Sequence, residues 1–340
     1  MPPKPKKLPA PSSVMPAERK PPPPPNWQLL AKNHLGGRSW SSIRQTWGTA
    51  ALGFDLDEIQ DLSLALDPIL RPNFDDREKV SVFSFPGGRI AAFGDAVSAS
   101  VKAAYVLRGA GNCLLGGQPT WAAIDAYHFS FVAARALLGL LGVHLVHVHD
   151  TFAALDVFPE GETQRAQTEF SRQYRNYTDP ARLIYRKRSD TIAQRDIWVI
   201  LVRILRVTTF DAAIQPSIDL IIELGAGFSS ARNDVLYQNI AWLYKEDYIT
   251  PTIPDVINDD PFILAATDRF FEEKDSSFAF AMLMLKVMRS LITSIETIGG
   301  SNIIPTSYGE CFRSFSGFDQ TKLHPVYSVI YRQEGFGSAL

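Results

Sequence analysis

Ala126-Tyr127-His128-Phe129-Ser130-Phe131-Val132-Ala133-Ala134-Arg135-Ala136-Leu137-Leu138-Gly139-Leu140-Leu141-Gly142 is the stretch on which the fold turns. It has no proline, and its alanines and leucines are strong helix formers. With Trp121 to Asp125 in front of it, it predicts one long helix from Trp121 to Leu141, ended by Gly142. Small residues at Ala122, Ala126, Ala133 and Ala136 let neighbouring helices approach closely. A helix of this kind needs partners on several sides, so the chain around it should be largely helical.

The flanking sequence supplies such partners. Arg89 to Leu107 predicts a helix with Ala92, Ala96, Val97, Val101, Ala104 and Tyr105 inward, and Gly109, Gly111, Gly116, Gly117 and Pro119 predict a loop after it. His144 to Val148 suits a short extended run, Thr163 to Asn176 a polar helix, and Pro180 a turn. Asp190 to Phe210 and Ser217 to Leu224 predict apolar helices, the second capped by Gly225-Ala226-Gly227. Ser229 or Ser230 can cap a helix running to about Lys245, and Pro261 to Lys274 and Ser276 to Ile298 predict two more. Upstream, Leu56, Ile59, Leu62 and Leu66 recur at helical spacing over Asp55 to Leu66. Lys79 to Phe85 alternates like a strand and stops at Pro86-Gly87-Gly88.

The fold class expected is therefore mainly α. A small mixed α/β subdomain spans 27–88, a helical bundle spans 89–248, and helices with an aromatic, Gly-rich tail span 249–340. Residues 1–26 are rich in proline and lysine and end in Pro21 to Pro25, which predicts a disordered or polyproline II tail.

Composition narrows the classes. A formal net charge of -2 over 340 residues gives no global reason to expect a polyanionic partner, so such a surface must be local. Cys113 and Cys311 are the only cysteines, which excludes a disulfide scaffold or thiolate zinc cage and suits a reducing compartment. The apolar runs Ile197 to Val207 and Phe278 to Ile292 carry Arg203, and Lys286 with Arg289. Neither reaches the roughly 20 residues needed to span a bilayer. No membrane partner is expected, and the location expected is cytoplasmic.

Three constellations carry chemistry. From Phe170 to Arg188 the cations Arg172, Arg175, Arg182, Arg186, Lys187 and Arg188 alternate with Tyr174, Tyr177 and Tyr185. Guanidiniums neutralise phosphates and phenol rings stack on unpaired bases, the chemistry of single-stranded RNA binding. The plain alternative is a solvated helix face with salt bridges to acidic neighbours. His147 and His149 would share one face of a strand as a pair of metal ligands, but no third ligand is evident and no metal or other cofactor is expected. Finally, Arg232-Asn233-Asp234-Val235-Leu236-Tyr237 follows the Gly-Ala-Gly break. Arg232 can hold a phosphate bidentately, and Asn233 can orient a phosphate oxygen or 2′-hydroxyl. Tyr237 is five residues beyond Arg232, so the two diverge by roughly 140° on a regular helix. They meet only at a first turn or across a groove shared with a second protomer. The alternative is an ordinary helix start with Asp234 at the dipole and Arg232 in a surface pair.

The order of these pieces resembles the HEPN superfamily (higher eukaryotes and prokaryotes nucleotide-binding domains). Ala126 to Gly142 looks like its aromatic and Ala-Ala-Arg-Ala-Leu-Leu helix, and His149 to Leu155 like its His-led turn into the next helix. Arg232-Asn233-Asp234-x-x-Tyr237 looks like its R-N-x-x-x-H element. The resemblance covers roughly residues 90 to 248, with an insertion around Asp190 to Leu224. It implies an up-and-down helical bundle that dimerises through the motif helix. It further implies metal-independent endoribonuclease chemistry of the kind found in prokaryotic toxin-antitoxin and antiviral (phage-defence) systems. Arg232 would then stabilise the charge developing on the phosphate and Asn233 would position it, with RNA and a homodimer or other protein partner implied. The general acid/base position, a histidine in the family, falls on Tyr237, which lacks a near-neutral pKa. A histidine delivered from elsewhere, His149 or His128, would have to serve. Otherwise the domain binds without cutting. The rival expectation is a catalytically inactive helical scaffold in a multiprotein complex.

Overall fold

The computed structural model describes residues 37–52, 54, 61–70, 82–115, 119–148, 151–158, 177–188, 194–224 and 276–300. In chain order these form β1 (Arg38–Ser39), α1 (Trp40–Ala51), α2 (Leu62–Leu70), β2 (Val82–Ser84), α3 (Gly88–Leu115) and α4 (Pro119–Leu140). Then come β3 (Val143–Val148), β4 (Thr151–Asp156), β5 (Pro180–Arg188), α5 (Gln194–Val207), β6 (Thr208–Thr209), α6 (Gln215–Leu224) and α7 (Ser276–Gly299). Helix dominates the described residues, so the chain is mainly α. The expected helices at Thr163 to Asn176, Ser229 to Lys245 and Pro261 to Lys274 lie outside them.

Helix α4 is the centre. It packs against α3, α5, α7 and β3, and Ala126, Phe129, Ala133, Ala136, Leu137 and Leu138 are all fully buried. Pro119 opens it, a position where the missing amide would have had no helical partner. Against α3 the approach is set by small side chains: a Cβ on Gly139 would stand 3.0 Å from the Cβ of Ala96. Gly109 has the same role. The sequence predicts a loop there, but α3 runs on to Leu115, and a Cβ on Gly109 would come 2.9 Å from Asp125 Oδ2. The glycine serves close packing between helices rather than a turn. Gly88–Leu107 of α3 is long and apolar enough to cross a bilayer by length and composition, yet most of it is buried inside the fold, as expected of a core helix.

Helix α2 also differs from expectation. It is described from Leu62, with Asp61 capping it, and residues 55–60 of the expected helix lie outside the described residues. Asp61 Oδ1 accepts from the amides of Ser63 at 2.8 Å and Leu64 at 3.2 Å.

The sheet is antiparallel, in the order β2-β5-β4-β3. Strand β3 is the extended run expected at His144 to Val148, but β4 falls where the resemblance implies a turn into a helix. Helix-forming Ala153 and Ala154 are there overruled by burial on both faces of the strand. Strand β5 likewise takes up the second half of the basic run, with Pro180 at its first position, where no ladder amide is required. In the chain, three strands of the four-stranded sheet thus come between α4 and α5, where the resemblance implies continuous helical bundle. Strand β2 pairs Val82 with Arg182 and Ser84 with Pro180, so residues on both sides of position 88 share one sheet.

They also share one core, which takes in Trp40 and Trp47 of α1, Phe93, Tyr127, Phe158, Trp198 and Phe280. Trp47 sits at its middle. Its indole donates to Leu140 O at 2.7 Å, and its ring lies 4.5 Å from that of Phe158 and 5.1 Å from that of Phe93. This satisfies the one polar atom of a large buried ring.

Gly142 turns the chain from α4 into β3. Its φ is 78°, a Cβ there would lie 2.2 Å from Phe158 Cδ2, and its carbonyl accepts from Val157 N at 2.9 Å. Gly142→Ala therefore meets both left-handed strain and a clash with a ring wedged against Trp47. The expected loss is about 2–3 kcal/mol, read from a lower urea midpoint at unchanged slope. A midpoint equal to wild type would show that Phe158 moves aside freely.

Candidate functional site

Arg232, Asn233, Tyr237, His149, Arg172 and Arg175 lie outside the described residues. The structure therefore speaks to the candidates on α4 and on the sheet. Of the expected RNA-binding set, Tyr177 is exposed just before β5, and Arg186 and Arg188 occupy the far end of that strand.

Arg182 requires a correction. It is fully buried, and its guanidinium donates to Asp156 Oδ2 at 2.9 Å. The other oxygen of Asp156 accepts from Arg38, also fully buried, which further donates to Leu141 O at 3.1 Å and Phe158 O at 3.3 Å. Asp156 Oδ1 takes a third bond, from Phe158 N at 3.0 Å. A side chain committed in this way cannot reach a phosphate. In the sequence Arg182 reads as one more cation of a basic run; only the register Asp156↔Arg182 shows its partner. Arg38 carries no sequence signal of its own.

The histidines divide by strand alternation. His144 faces the helices, with Nδ1 2.8 Å from Asp95 Oδ2 on α3. Its Nε2 is buried with no hydrogen-bond partner among the described residues. Burial raises the Asp95 carboxyl, but the His144 hydrogen bond, the His144 charge and Arg135 outweigh it and hold it below its ordinary value. A carboxylate holding an imidazole is half of a proton relay. Among the described residues no hydroxyl or thiol bonds to Nε2, so here the pair ties β3 to α3. His147 points the opposite way, is exposed, and its ring lies 4.5 Å from that of Phe152 directly across the hairpin. His128 is half-buried on α4, beside the ring of Tyr127 and within the field of Asp125.

Cys113 is the one cysteine among the described residues. Its thiol lies 3.7 Å from Asp125 Oδ2, and burial, then the Asp125 charge and hydrogen bond, push it above its ordinary value. It is a protonated thiol at neutral pH, not an activated nucleophile. Among the described residues no group of three or more His, Cys, Asp or Glu side chains is placed to hold a metal. Comparison with protein-family models, curated proteins and solved structures gives no match.

The buried triad makes its own prediction. Burial opposes ionisation of Asp156, but Arg38 and Arg182 with the Phe158 amide prevail, so its carboxyl titrates below the ordinary 3.8. Its stabilisation is complete above about pH 4 and is lost as the pH falls through the folded value. Asp156→Asn leaves two buried guanidiniums facing a neutral amide. The expected cost is about 3–5 kcal/mol at neutral pH, with a shallower acid limb in a stability-against-pH series. Equal stability of variant and wild type at pH 7 would refute the assignment.

Proposed function

We propose that the chain is an RNA-binding protein with a HEPN-like helical core, in which Arg232 and Asn233 hold a phosphate. The observation that carries this reading is the segment Arg232-Asn233-Asp234-x-x-Tyr237. It is supported by the close-packed α3–α4 hairpin built on Ala126 to Gly142 and by the cationic end of β5.

The chemistry favours binding over cutting. A guanidinium offers two parallel donors to a phosphate and stabilises added negative charge there, and an amide beside it fixes the orientation. Cleavage by a ribose 2′-hydroxyl needs a group that takes and gives a proton near neutral pH. Tyr237, with a reference pKa near 10, is poorly matched to that role. Any cleavage would be metal-independent and would rest on a histidine brought to Arg232 from elsewhere in the chain or from a second protomer, in a toxin or phage-defence setting.

The test uses purified full-length protein with a labelled single-stranded RNA in the presence of a chelator. Arg232→Ala is expected to reduce RNA affinity roughly tenfold or more while leaving the thermal melt unchanged. If cleavage occurs in wild type, it should fall by about 100-fold or more. A folded Arg232→Ala protein that binds and cuts like wild type would remove the reading. Wild-type protein that ignores RNA but purifies in a stable protein complex would favour the scaffold alternative.

A further inference from the structure

We draw no further inference here: the strongest candidate, the outward face of helix α5 where half-buried Arg203 has an Nε with no acceptor among the described residues and Arg206 stands one turn on, lies at the carboxyl end of the helix, where cations answer the helix dipole, and nothing in the structure shows what anion covers it.

Discussion

Two guanidiniums and one carboxylate with no access to water hold the described fold together. Asp156 alone would be costly to bury as an anion, and either arginine alone as a cation. Here each oxygen of Asp156 meets a different arginine, Arg38 on β1 and Arg182 on β5. Arg38 also satisfies the carbonyls of Leu141, after α4, and Phe158, after β4. The group joins the first described strand, the central helix and the sheet, segments more than a hundred residues apart in the chain. Ion pairs of this type seldom add more stability than apolar side chains of equal volume. Their effect is on register: sliding β5 by one position against β4 would put Arg182 on the other face and strand Asp156.

Around that polar knot the rest is close packing. The α3–α4 contact depends on Gly139, Ala96 and Gly109, where no extra methylene fits without moving backbone or a carboxylate. Trp47 fills the space between α1, α4 and the end of β4, its one donor used on Leu140 O. The small residues let the helices come together, and the large rings fill what the sheet and α1 leave open.

Periodicity made most helices legible. The predicted Trp121 to Leu141, Ser217 to Leu224 and Ser276 to Ile298 correspond closely to α4, α6 and α7, and His144 to Val148 to β3. The sheet was half legible. Strand β3 carries three valines in six residues, whereas β4 is rich in alanine and β5 in arginine, so neither of these shows the composition of a strand. Gly109 misleads because a glycine that permits contact looks, in one sequence, like a glycine that makes a turn. Arg182 misleads because a charge within a basic run reads as exposed, and its partner lies 26 residues upstream. For the candidate site, the extended run at His144 to Val148 was legible, but that His144 turns inward and His147 outward comes from where the helices pack. The ring pairing of His147 with Phe152 was not legible, because it depends on which strand lies opposite.

The place of α7 has a consequence in time. Helix α1, near the start of the chain, packs mainly on α7, where the backbone at Gly48 leaves room for Ile298. Synthesis proceeds at about 5–20 residues per second. For at least ten seconds or so after Trp40 and Trp47 leave the ribosome, the face that α7 will cover is open. A nascent chain in that interval displays apolar surface that chaperones bind. A chain lacking α7 would leave the apolar faces of α1 and α4 that it covers open to water.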